Sequence, residues 1–171
     1  MGRPAFSLIE LALVLVILAL VAGTLAVGVR GTLARVTLED CVDEIEAFDR
    51  TTRRLATEQD EALRLVVDLA RGRLRRTDAD GRDDRGEALH VPDGWRIAEV
   101  RLVGRRVTSG TVAVSVSARG LGPTYALRLE GVEGRGHWIA VAGLTGQTWE
   151  PEDGDAVQQV FETIGRRRDA R

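Results

Sequence analysis

Lysine is absent from this 171-residue chain: all 24 basic side chains are arginines, set against 26 acids for a formal charge of −2. That balance argues against a broadly cationic surface of the kind that holds nucleic acid, and the exclusive use of arginine reads as coding bias. Cysteine occurs once, at Cys41, so no internal disulfide staples the chain. Set among apolar neighbours in a helical pattern, this thiol reads as a packed side chain. Histidine occurs only at His90 and His137. With so few candidates, no Ser, His and acid cluster, no phosphate loop and no metal-ligand spacing emerges. Gly120/Gly122 and Gly134/Gly136 fall in turns between strands and not ahead of a helix, where a phosphate would be cradled. Asp78-Ala-Asp-Gly-Arg-Asp83 resembles a fragment of a calcium loop but lacks its spacing and distal Glu, and Glu150-Pro-Glu-Asp-Gly-Asp155 reads first as an acidic linker. No enzyme, no cofactor and no metal are expected.

What the chain does have is one long apolar run. Leu11 to Val29 carries no charge and is interrupted by nothing stronger than Gly23, Thr24 and Gly28. As a helix, Phe6 to Val29 would span roughly 36 Å, enough for a bilayer core of about 30 Å. A membrane-inserted segment is therefore expected, at least in the newly made chain. Glu10 stands at its edge. Ser7-x-x-Glu10 reads as a capping box that satisfies the first free N–H groups of the helix. The capping bonds would offset the penalty of a carboxylate in a membrane helix, about 2.5 to 3.5 kcal/mol at its centre and smaller near an end. A secretory signal peptide with Thr24-Leu25-Ala26 as its small-residue site, or a plain signal anchor, are the competing readings; Glu10 and the length of the run argue against the first. Arg3 on one side and Arg30 and Arg35 on the other give little information on topology.

The order Phe6-Ser7-Leu8-Ile9-Glu10, behind a short Arg-bearing leader and ahead of the apolar run, resembles the amino-terminal signature of type IV pilins and type II secretion pseudopilins. The resemblance implies that a prepilin peptidase removes Met1 to Ala5 and methylates the new amino terminus at Phe6. Ala5 departs from the family's usual Gly; one added methyl beside the scissile bond should slow cutting more than abolish it. It also implies that Glu10 neutralises the cationic amine of a neighbouring subunit in the low-dielectric centre of a filament. The leader type implies a single-pass inner-membrane protein whose carboxyl-terminal domain is exported to the periplasm. Many pilins carry a helix-bending Pro some twenty residues into the mature chain, and none stands near Val27.

Beyond the membrane segment the helical period continues. Leu33, Val36, Leu38, Cys41, Val42, Ile45, Phe48, Thr52 and Leu55 form an apolar stripe, while Glu39, Asp43, Glu46, Asp49, Arg50 and Arg53 are assigned to the outer face. One helix is expected from about Ser7 to Thr57. From about Ala62 the period becomes strand-like: Leu63–Leu69 and Arg73–Thr77 around an Arg71-Gly72 hairpin, then Trp95–Val103, Thr111–Ala118, Tyr125–Leu129 and His137–Val141. A helix leading into an antiparallel meander is an α+β plan. The expected divisions are 1–5 leader, 6–29 transmembrane, 30–58 exported stem, 59–149 β domain and 150–171 charged linker and tail.

The succession Leu89–Ile97, Ser115–Gly120, Tyr125–Glu130 and Ile139–Gly146 looks like the carboxyl-terminal domain of the H-type minor pseudopilins and related minor pilins, the GspH/FimT group. That resemblance implies a structural subunit of a periplasmic pseudopilus, with prepilin peptidase, other pseudopilins and the inner-membrane secretion platform as partners. The alternative is a minor type IV pilin serving pilus assembly or DNA uptake. The tail has a short amphipathic pattern over Ala156 to Ile164 and ends in Arg166, Arg167, Arg168 and Arg171, a nucleic-acid contact in that alternative. Without interleaved aromatics these arginines read as a solvated tail, and nucleic acid is not expected as a partner.

Overall fold

A computed structural model describes residues 8–131 and 134–169; inside the helices, side chains at 8–10, 19, 21–37 and 167–169 lie outside the described set. Helix α1 runs Leu8–Glu58, as the recurrence of apolar side chains at three- and four-residue steps requires. It stops in a Schellman motif. Asp60 turns to φ 50°, its amide donates to the Thr57 carbonyl at 3.4 Å, and the Glu61 amide reaches the Ala56 carbonyl at 3.1 Å.

The chain divides into two compact units, 1–40 and 41–171. In the first, the described large aliphatic side chains from Leu11 to Leu20 are exposed, Leu11 at 55% and Leu20 at 66%.

The second unit begins at Cys41, and its described residues form nine strands: β1 Leu63–Asp68, β2 Arg73–Asp78, β3 Leu89–His90, β4 Trp95–Leu102, β5 Arg105–Val107, β6 Thr111–Val116, β7 Tyr125–Gly131, β8 Gly136–Val141 and β9 Thr148–Trp149. They form two sheets, ordered β3-β2-β1-β6 and β5-β4-β7-β8-β9. Every pairing is antiparallel. Strand β6 alternates exposed Thr111, Ala113 and Ser115 with buried Val112, Val114 and Val116, the signature of a half-covered strand.

The α+β plan stands, but a single meander does not. After β3 the chain leaves the first sheet to build β4 and β5, then returns with β6 to pair with β1. Period-two alternation fixes which side chains face inward and carries no information about which strand lies alongside. Strands β3, β5 and β9, two or three residues each, are too short for any period to register.

The outer part of α1 lies on the sheets through Ile45, Phe48, Thr52 and Ala56. Ala56 packs with Leu63 and Val116, and Arg76 of β2 stacks over the Phe48 ring at 4.0 Å. Its Nε donates to the Thr52 hydroxyl at 3.0 Å. A second helix, α2, spans Gly154–Asp169. Asp153 caps it, accepting from the Ala156 amide at 2.8 Å. Its Val157 and Phe161 pack on Ala126, Trp138 and Ala140, so much of the expected charged tail is part of the core.

Candidate functional site

Ala5 and Phe6 lie outside the described residues; Glu10 belongs to the backbone of α1, and its side chain also lies outside them. Arg166 sits on α2 and is 81% exposed, with its guanidinium 3.6 Å from Glu162. Arg167 and Arg168 continue that helix with side chains outside the described set, and Arg171 lies beyond it. Of these expected site residues only the Arg166 side chain lies within the described set. Among the described residues no helix is long and apolar enough to cross a membrane. Nor do they hold a group of three His, Cys, Asp or Glu suited to a metal.

The two acidic segments are engaged otherwise. The Asp78 carboxylate accepts the Arg82 amide at 2.8 Å and so closes its own turn. That bond holds its carboxyl below the usual carboxylate range. Asp84 pairs with Arg75 at 3.0 Å, and Glu150 lies 3.1 Å from His137. Cys41 is 1% exposed. Burial, with the nearby Glu44 charge, pushes its thiol up to about 11, so it stays protonated and unreactive at neutral pH.

What the structure does assemble is a polar anchor between α1 and the β domain. Asp49 and Arg53, expected on the outer face, are buried at 1% and 8% exposure. Arg53 Nε donates to Asp49 at 2.6 Å. Its Nη1 reaches the carbonyls of Gly120 at 3.0 Å and Gly143 at 2.7 Å. The Tyr125 hydroxyl, fully buried on β7, donates to the other Asp49 oxygen at 2.9 Å. Burial first, and then the Asp49 charge, hold the Tyr125 phenol well above its usual range. One guanidinium thereby ties the helix to two loops, 117–124 and 142–147, through a fork that only arginine presents.

Those loops also grip each other. The Gly122 amide donates to the Gly143 carbonyl at 2.9 Å. A Cβ on Gly143 would lie 2.2 Å from the Gly122 carbonyl, so only glycine permits this approach.

The misplacement of Asp49 and Arg53 has a simple cause. An amphipathic reading sends every charge outward, yet Asp49 stands four residues after Ile45, and Arg53 four after Asp49, on the stripe shared with Phe48 and Thr52. The spacing was the available signal. The partners came from β7 and two loops distant in sequence.

A second buried charge braces α2. Glu99, 2% exposed beside the irregularity between Ile97 and Glu99 in β4, is bound by Arg101 and by Arg106, the latter at 2.9 Å. Arg101 stacks over Trp138 at 4.6 Å and donates to the Gly154 carbonyl in the first turn of α2. Neither cluster pairs a nucleophile with a base, and both fasten a helix to a sheet.

Comparison with solved structures places this architecture. A structure of the minor pseudopilin EpsH from the type 2 secretion system of Vibrio cholerae superposes with a TM-score of 0.51 at 12% identity, covering 68% of this chain and 97% of that one. A crystal structure of the same Vibrio cholerae pseudopilin gives 0.50 at 12% identity over 66% and 92%. The type IV minor pilin FimU of Pseudomonas aeruginosa gives 0.49 at 13% identity over 70% and 96%. No protein-family model and no curated sequence matches the chain. The fold is pilin-like: a long amino-terminal helix over antiparallel sheets, as in the H-type pseudopilin.

Proposed function

We propose that this chain is a minor pseudopilin, a structural subunit of the periplasmic pseudopilus of a type II secretion system. Its work is assembly, not catalysis. The observation that carries this reading is the row of exposed aliphatic side chains from Leu11 to Leu20 on a chain with a pilin-like fold. An uninterrupted apolar surface of that kind calls for a cover. Lipid covers it before assembly, and the stems of other pseudopilins cover it afterwards. In this reading prepilin peptidase cuts after Ala5, Phe6 becomes the methylated first residue, and the inner-membrane platform feeds the subunit into the filament. The carboxyl-terminal unit stays in the periplasm.

Glu10 then has the role of pairing with a neighbour's terminal amine. A glutamine retains a side-chain carbonyl for capping and loses the charge. Glu10→Gln is therefore expected to insert, to be cleaved, and to enter filaments poorly, as read by crosslinking of the full chain to other subunits in secreting cells. Wild-type incorporation of Glu10→Gln would leave only the capping role and remove the charge-pairing mechanism.

A further inference from the structure

The two sheets share no strand, yet both are fastened to one short stretch of α1. On the first sheet, Arg76 of β2 lies over the Phe48 ring at 4.0 Å, and its Nε donates to the Thr52 hydroxyl at 3.0 Å. On the second, the Tyr125 hydroxyl of β7 donates to Asp49 at 2.9 Å. Arg53 adds the Gly120 and Gly143 carbonyls at 3.0 and 2.7 Å. Gly120 lies in the loop that carries the chain from β6 in the first sheet to β7 in the second, so that bond holds the crossing itself. The helical side of the contact is cross-braced as well: the Thr52 hydroxyl donates to the Phe48 carbonyl at 2.7 Å, and Arg53 Nε to Asp49 at 2.6 Å. All four side chains, Phe48, Asp49, Thr52 and Arg53, are buried at 8% exposure or less. Residues 48–53 make up less than two turns of helix, roughly 8 Å.

Directional and non-directional contacts answer a sliding helix differently. The apolar hold of Ile45 and Ala56, both fully buried, follows the area removed from water. A shift of about 1 Å along the sheets leaves that area nearly unchanged. A hydrogen bond near 2.9 Å, by contrast, is no longer one by about 3.6 Å. The same small shift therefore breaks the bonds from Arg76, Tyr125 and Arg53 together, and it leaves Asp49 and Arg53 buried with fewer partners. Resistance to sliding lies with the polar bonds, while the apolar contacts supply the affinity of the helix for the sheets.

We propose that residues 48–53 form a shear clamp: a pull along α1 reaches both sheets at once, is borne by these polar bonds, and releases in one step. In the proposed role such a pull arises when the stem is drawn out of lipid into a filament. The clamp rests on that reading only for the source of the load. Its failure under direct load would leave the filament reading standing, since that reading is tested by crosslinking in cells.

The test is single-molecule pulling on the full chain in nonionic detergent. One handle is attached through Asp43→Cys on the exposed side of α1. The other is attached either through Arg105→Cys on β5 or through Asp80→Cys in the loop after β2, all three being exposed positions. Cys41, 1% exposed, takes no handle. Both arrangements should release α1 in one step and at the same force, because both sheets hold the same residues. Arg53→Lys keeps the charge and loses the fork; it should shorten the lifetime at constant load about tenfold in both arrangements, as loss of one charge-assisted bond implies. Ile45→Val removes one buried carbon from the same helix; it should lower stability in urea and leave the lifetime under load within about twofold. Release at different forces from the two sheets, or in two steps, would overturn the shared clamp. So would a lifetime that Arg53→Lys does not change, or one that Ile45→Val shortens as much, which would place the load on apolar packing. The comparison of the two handle positions leaves residues 48–53 unaltered and so decides even if Arg53→Lys fails to fold.

Discussion

The two stretches of helix α1 follow opposite rules. In the unit ending at Asp40, its described large aliphatic side chains from Leu11 to Leu20 face outward. From Cys41 to Glu58 even a carboxylate and a guanidinium, Asp49 and Arg53, are hidden. The first stretch leaves its apolar surface for something outside the chain. The second pairs Asp49 with Arg53 and Tyr125 inside the chain, and Arg53 Nη1 ties it to the Gly120 and Gly143 carbonyls, although Arg53 Nη2 is buried without a partner among the described residues. A stem that must join other molecules while carrying a fixed domain needs both behaviours. Their division along one helix suits the proposed role.

The harshest way to break the contrast is to remove the second stretch. A fragment beginning near residue 60 would uncover Leu63, Leu65, Val116 and Tyr125, all buried now, and is expected to aggregate. A fragment of residues 41–171 keeps the whole compact second unit and is expected to run as a soluble monomer on size exclusion. Identical behaviour of the two fragments would show that α1 does not supply the burial assigned to it.

Next in size is the anchor itself. Asp49→Ala or Arg53→Ala strands the other charge in the interior, which typically costs about 3 to 5 kcal/mol. Urea unfolding of the 41–171 fragment should show that loss in each single variant. The double variant should lose clearly less than their sum, since each single change already forfeits the same pair.

Tyr125 sharpens the picture through pH. Its phenol is held above the usual range in the folded state, while the unfolded chain titrates near pH 10. Below that pH both states keep the proton and the contribution is whole. Above it the unfolded state sheds the proton first, so stability falls as pH rises. Tyr125→Phe should lose about 1.5 to 3 kcal/mol at neutral pH, because it removes a hydrogen bond to the buried Asp49 carboxylate, and should show a shallower decline above pH 10.

The smallest effect belongs to the tail. Arg166 makes an exposed pair with Glu162, and changing Arg166, Arg167, Arg168 and Arg171 together to Ala should alter stability by less than about 1 kcal/mol. The unchanged domain should show no DNA retention at physiological salt in a filter-binding assay. Salt-sensitive retention lost in the four-Arg variant would favour the DNA-uptake alternative.

What the sequence made legible follows from what periodicity can carry. The extent of α1 and the positions of β1, β2, β4, β6, β7 and β8 were readable because each repeats its apolar residues often enough to define a period. The amphipathic pattern of α2 was readable too, though not that Phe161 would be nearly buried against Trp138 and Ala140. The split into two sheets was not readable, since alternation is blind to partners. The Asp49–Arg53–Tyr125 network was hidden for a related reason. A charge is assigned outward by default, and only contacts far apart in the chain, from Tyr125, Gly120 and Gly143, reverse that default. Ala5, Phe6 and the Glu10 side chain lie outside the described residues, so the processing reading still rests on the signature.

Intact-mass analysis of the full chain co-expressed with a prepilin peptidase addresses that reading at its root. The expected product lacks Met1 to Ala5 and begins with a methylated Phe6. A mature chain beginning near Val27 would instead identify a secretory signal peptide, remove the apolar stem from the finished protein, and contradict assembly into a filament.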